Sequence, residues 1–120
     1  MGGVPMGDYI TIVGCSHYHG IKAFKVGQIV RLVKDYDNDY DDEAIRAEIE
    51  NLGKAGYVAN STETVARGTS SGGRIYDTFE EEIFAIVKFV VNESAICELI
   101  RENEIKIEVL ITSEETKISI

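Results

Sequence analysis

Short runs of apolar side chains that alternate with polar ones, broken by a turn signal every 8 to 12 residues, are the feature that most limits what this chain can fold into. The run Ala44 to Glu50 makes the point. On propensity alone AIRAEIE suits a helix, yet Ile45, Ala47 and Ile49 alternate with Arg46, Glu48 and Glu50. Period two places each set on one face of a strand and would scatter both around a helix. The same reading, with enrichment in β-branched and aromatic residues, predicts strands over 9–13, 28–34, 54–59 and 95–100. Leu52 to Lys54 and Asn92 to Ser94 are the hairpin turns. Residues 81–91 are dense enough in apolar side chains for a buried helix, but β-formers dominate and a turn follows, which favours paired strands. Further strands are expected over 105–111, where Ile105, Ile107, Val109 and Ile111 alternate, and over 117–120. A short helix is expected over Ser61–Arg67, capped by Asn60 or Ser61, supported by Glu63 and closed by Gly68, with TSSGG as a flexible turn. This pattern predicts a mainly β fold, a small closed or nearly closed barrel with one or two short helices packed outside.

At 120 residues the chain matches one domain, expected over 8–120 after a disordered Gly-rich terminus at 1–7. With 44% hydrophobic residues, it has the apolar side chains for one core. The most apolar stretch, Ile83 to Val91, is interrupted by Lys88 and is far shorter than the roughly 20 residues of a spanning helix. The first residues lack the basic and apolar regions of a secretory leader, and Cys15 and Cys97 form no CxxC pair. A cytoplasmic protein without a disulfide framework, membrane segment or cofactor is expected.

The net charge of -9 argues against nonspecific binding to nucleic acid, but its distribution is uneven. Asp35, Asp37, Asp39, Asp41, Asp42 and Glu43 crowd one segment, and removing these six from the 21 acidic residues leaves 15 against 12 basic. Tyr9 to Lys34 holds no acid, while Lys22, Lys25, Arg31 and Lys34 are basic, so a local basic face is compatible with a negative whole.

Most motifs that promise chemistry fail on their geometry. Asp35, Asp37 and Asp39 match the first ligand positions of an EF-hand, but Tyr40 stands where the turn needs glycine and Arg46 where it needs a bidentate glutamate. Cys15, His17 and His19 are zinc-type ligands spaced too closely to surround one ion, so no metal site is expected. Gly68-Thr69-Ser70-Ser71-Gly72 spells G-x-S-x-G without the preceding strand or the downstream histidine of a nucleophile elbow. Asn60-Ser61-Thr62 is a glycosylation sequon only in a secreted chain. Glu102, Glu104 and Lys106 read as a solvated strand edge and not a nuclease E-x-K group. No phosphate-binding glycine loop is present, and no enzyme activity is expected.

A longer pattern survives. Ile10, Ile12 and the run Val13 to Tyr18 (VGCSHY), then Gly27-Gln28-Ile29-Val30-Arg31-Leu32, Asn38-x-Tyr40-Asp41-x-x-Ala44-Ile45 and Gly56-Tyr57-Val58 together resemble the HIRAN domain family from about Tyr9 to Ile100. The N-x-Y-D-x-x-A-I piece is the most specific. The resemblance implies an OB-like barrel, in agreement with the alternation, and a free-standing bacterial-type member of a family otherwise found within fork-remodelling ATPases of DNA repair. It also implies binding of the 3′ end of single-stranded DNA, through an aromatic triplet after the first strand and a Tyr-Asp pair in the signature loop. On this chain the triplet falls on Ser16, His17 and Tyr18 and the pair on Tyr40 and Asp41. Ser16 lacks the cation that the family places there, and His17 is a smaller stacking surface than tyrosine.

The chemistry of such a site is direct. A carboxylate accepting from a free 3′ hydroxyl separates ends from internal nucleotides, and an aromatic neighbour adds roughly 1 to 3 kcal/mol of stacking that tolerates any base. Phosphates would meet Lys22, Lys25 or Arg31, or amides near Asn60 to Thr62. Tyr40 packing its loop onto the barrel and Asp41 closing an Asx-turn are the purely structural alternatives. The other functional reading is a protein-interaction module on the same barrel with a decayed nucleic-acid site.

Overall fold

The computed structural model describes residues 8–101 of the chain; the terminus at 1–7, the strands expected over 105–111 and 117–120 and the Glu102, Glu104, Lys106 group lie outside the described residues. Six strands close into an antiparallel barrel: β1 (Tyr9–Val13), β2 (Ile29–Lys34), β3 (Ile45–Ile49), β4 (Gly53–Val58), β5 (Glu82–Val91) and β6 (Ser94–Ile100). Their order around the barrel is β1-β4-β3-β2-β5-β6, with β6 returning to β1 through pairs such as Ile10 with Cys97. The alternation predicts these strands to within a residue at nearly every end. Ile45, Ala47 and Ile49 point inward as expected, joined by Ile10, Ile12, Val30, Leu32, Ala85, Val87, Cys97 and Leu99. Residues 82–91 form a strand, paired with β2 on one side and β6 on the other. Among the described residues no helix is long and apolar enough to cross a membrane.

Two turns carry their sequence signals in the backbone. Asn51 and Gly53 hold φ of 72° and 78° at the β3–β4 turn, and Asn92 takes 54° between β5 and β6. These are values that asparagine and glycine tolerate better than other residues.

The helix expected over Ser61–Arg67 does not form. A single turn survives, in which Thr64 N–H and Val65 N–H donate to Ser61 C=O. The next amide, Ala66 N–H, donates to Thr11 Oγ1 on the barrel instead of the helical acceptor, and Ser70 N–H donates to Tyr9 C=O. Thr11 is buried, and its hydroxyl also meets Thr69 Oγ1 at 2.7 Å, so the segment is strapped across β1 by bonds that a helix would have to break. β-Branched Thr62, Thr64 and Val65 make the competition easier to lose. The one α-helix among the described residues, α1 (Gly72–Tyr76), begins within TSSGG, where a flexible turn is expected. Its two leading glycines are poor helix formers; it is held by the Ser71 cap, by Gly72 N–H donating to Ala59 C=O and by burial of Ile75.

Gly56 explains the G-Y-V signature physically. A Cβ there would sit 2.8 Å from Val13 O and 2.9 Å from Ile12 Cγ2, so only glycine lets β1 and β4 approach where the barrel closes.

Candidate functional site

The acidic loop between β2 and β3 is stitched at both ends and along its length. Asp35 N–H donates to Ala44 C=O, and Asn38 Oδ1 accepts from both Tyr40 N–H and Asp41 N–H at 2.9 Å. Asn38 thus makes an Asx-turn that aims the next two residues outward. Asp41 Oδ1 accepts from Glu43 N–H and its Oδ2 from Asn60 Nδ2, each at 2.9 Å. Asn60 in turn accepts from Gly73 N–H in the first turn of α1 at 2.6 Å. A chain of hydrogen bonds therefore runs from α1 through Asn60 to the Asp41 carboxylate. Each Asp41 oxygen retains a second lone pair.

Tyr40 is 97% exposed, so its ring does not pack the loop onto the barrel. A large aromatic held in solvent beside an oriented carboxylate has no packing role to explain it. Tyr40, Asp41, Asn38, Asn60 and Tyr57 line one shallow groove of about 520 Å³ between the loop and the end of β4.

Tyr57 extends this site toward the other predicted residues. Its ring lies 6.5 Å from that of Tyr18, which follows the short 3-10 turn Cys15–His17 after β1. The Tyr57 hydroxyl donates to Asp35 Oδ2 and accepts from Lys54 Nζ at 3.0 Å. Lys54 Nζ also stands 5.2 Å from the Tyr57 ring centroid and 5.6 Å from that of Tyr18, within cation–π range of both. The hydroxyl of Tyr57 holds the Asp35 carboxyl below its ordinary range, aided by the charges of Lys54 and Arg46 against the opposing effect of burial. The Lys54 ammonium is raised, chiefly by its bond to Tyr57. Tyr57 itself is pushed up by burial first and then by the carboxylate to which it donates.

Sequence reasoning treats Tyr57 as part of a fold signature and misses Lys54 altogether. Strict alternation puts residues 54 and 57 on opposite faces, but β3 and β4 pair Ala47 with Gly56 and Glu48 with Lys54, leaving Ala55 as an extra residue. This bulge turns both Lys54 and Tyr57 outward. No signal in the sequence marks it.

The structure brings Tyr40, Asp41 and Asn60 into one groove, with Tyr18 one ring away. It does not bring in the others. Ser16 and His17 are exposed on the turn after β1, and neither lines the groove. Lys22, within the 3-10 turn Ile21–Ala23, and Lys25 are exposed and do not line it either. Arg31 is taken by Glu48 and Glu82 on the β2–β3–β5 face. No helix begins at Asn60–Thr62, where a phosphate cradle of amides is expected, and the Asn60 side chain links α1 to Asp41.

Among the described residues no group of three or more His, Cys, Asp or Glu side chains is placed to hold a metal ion. Cys15 Sγ is buried near Gly56, while His19 Nε2 bonds Leu52 O at 2.8 Å. Cys15 and Cys97 are both free thiols.

The described residues form a small closed barrel that displays an aromatic ring and an oriented carboxylate in an open groove. The sequence profile of the HIRAN domain matches residues 9–80, and the chain belongs to the HIRAN domain family, a family of nucleic-acid-binding modules. Its fold is similar to the crystal structure of the HIRAN domain of human HLTF, at a TM-score of 0.52 and 20% identity over 82% of this chain and 78% of that one. It is also similar to a crystal structure of a protein from Lactobacillus plantarum, at a TM-score of 0.55 and 22% identity over 77% of this chain and 88% of that one. None of the curated proteins matches the chain in sequence.

Proposed function

We propose that the groove between the acidic loop and the end of β4 captures the 3′ end of a single strand of DNA. The observation that carries this reading is the fully exposed Tyr40 ring beside an Asp41 carboxylate fixed by Asn60 and by Glu43 N–H. Tyr40 stacks on the terminal base, and a free lone pair of Asp41 accepts from the terminal 3′ hydroxyl. Tyr18, backed by Tyr57 and Lys54, offers a second aromatic surface beside the captured end. The domain acts by binding and not by catalysis. The neighbouring carboxylates Asp39, Asp42 and Glu43 are exposed and repel phosphates, which limits phosphate contacts at the Tyr40 end of the groove.

The deciding experiment titrates the protein with short single-stranded oligonucleotides ending in a 3′ hydroxyl or a 3′ phosphate. Wild type is expected to prefer the hydroxyl. Asp41→Ala should abolish that preference, and Tyr40→Ala should weaken both by roughly 1 to 3 kcal/mol. Absence of binding by folded wild-type protein at low salt refutes the reading. It would transfer interest to the protein-interaction alternative, for which Phe89, Val90 and Val91, exposed in succession at the end of β5, are the surface to test.

A further inference from the structure

The groove at Tyr40 and Asp41 is not closed at its far end. It continues past Asn60 and Ser61, which line both, into a second depression of about 460 Å³ between the strapped segment 61–70 and α1. The character of the lining changes there. No carboxylate of the described residues lines this second depression, whereas Arg67 and Arg74 both do, along with the hydroxyl-bearing Thr62, Ser70 and Ser71. Both arginines are exposed, and among the described residues neither side chain makes an ion pair or hydrogen bond. This sets them apart from Arg31, Arg46 and Arg101, each paired with a carboxylate.

The tertiary structure alone brings the two together. The strap over β1 is pinned through Thr11, and α1 is pinned through Asn60, so the Arg67 and Arg74 backbones are fixed on either side of the depression. A guanidinium with no partner among the described residues, facing a depression lined by hydroxyls, suits an oxyanion, and beside a groove that takes a nucleotide end that oxyanion is a phosphate.

We infer that Arg67 and Arg74 form a phosphate track, which meets the backbone of the strand on the 5′ side of the captured end. The inference rests on the end-capture reading for its polarity, and it assigns the phosphate-binding role to residues other than Lys22, Lys25 and Arg31. The strand enters along α1, crosses Asn60 and Ser61, and ends at Tyr40.

The test measures affinity for oligothymidylates of three and eight nucleotides with a 3′ hydroxyl, from low to moderate salt, for wild type and for Arg67→Gln, Arg74→Gln, the double variant and the double lysine variant. Unchanged thermal unfolding is required of each, which exposure of both side chains favours. Wild type is expected to bind the longer oligonucleotide more tightly. Each glutamine should lower the salt slope by about 0.7, the double variant should lose most of the length dependence, and lysine should restore the slope. The preference for a 3′ hydroxyl over a 3′ phosphate should be untouched. A folded double variant with wild-type slope and length dependence overturns the track while leaving end capture standing. Loss of slope in the double variant of a protein that ignores the 3′ group supports the track and refutes end capture. No wild-type binding of either oligonucleotide overturns both.

Discussion

Replacing Asn60 with alanine removes both ends of the link between α1 and the acidic loop. Asn60 Oδ1 accepts from Gly73 N–H at 2.6 Å, and Nδ2 donates to Asp41 Oδ2 at 2.9 Å. The first loss strands a half-buried backbone donor; the second strands a carboxylate oxygen that faces an open groove and rehydrates readily. Counting about 1 kcal/mol for the amide and about 1 for the carboxylate, the cost is about 1 to 3 kcal/mol. At roughly 4 to 8 °C per kcal/mol for a domain of this size, the melting temperature should fall by about 4 to 24 °C.

Asn60→Asp separates the two bonds. It keeps an acceptor for Gly73 but sets a carboxylate against Asp41, a repulsion with an upper bound of about 4 kcal/mol at 4 Å that groove water reduces. Its deficit relative to wild type should therefore shrink as salt is raised, whereas that of Asn60→Ala should not. Thermal unfolding followed by far-ultraviolet circular dichroism measures both. An Asn60→Ala protein that melts within about 2 °C of wild type would refute the link as a stabilising element.

Gly56→Ala should destabilise the barrel by about 1 to 3 kcal/mol in urea unfolding, because its Cβ meets the immobile Val13 carbonyl at 2.8 Å. Tyr57→Phe removes the main cause of the lowered Asp35 carboxyl, whose stabilising effect is present above its unfolded value and is lost as pH falls through the folded one. The variant should thus be less stable than wild type by about 1 kcal/mol at pH 7, with the gap closing below about pH 4; a constant gap would show that packing of the ring edge dominates. Burial pushes the Cys97 thiol up to about 12 and also raises Cys15, so both should resist a thiol reagent at pH 8 until the protein unfolds. Rapid native labelling of both would contradict the barrel interior assigned to them.

The sequence by itself determines the strands, because period two is a local property of side-chain placement and needs no partner to be read: Ile45, Ala47 and Ile49 fall inward whatever strand lies beside them. It also determines the signature loop. Asn38, Tyr40 and Asp41 are close in sequence, and an Asx-turn needs nothing beyond them. What it leaves undecided is every feature set by competition between distant groups. Residues 61–67 are a strap and not a helix because Thr11, far along the chain, captures Ala66 N–H. Gly72–Tyr76 is a helix despite its glycines because Asn60 and Ala59 supply acceptors from outside it. Lys54 joins Tyr57 only through a bulge that the pairing of β3 with β4 creates. Arg67 and Arg74, without a side-chain partner among the described residues, line one depression because the strap and α1 are pinned to β1 and the acidic loop. Local patterning fixes which faces a strand presents; only tertiary hydrogen bonds and register decide which chemistry those faces bring together.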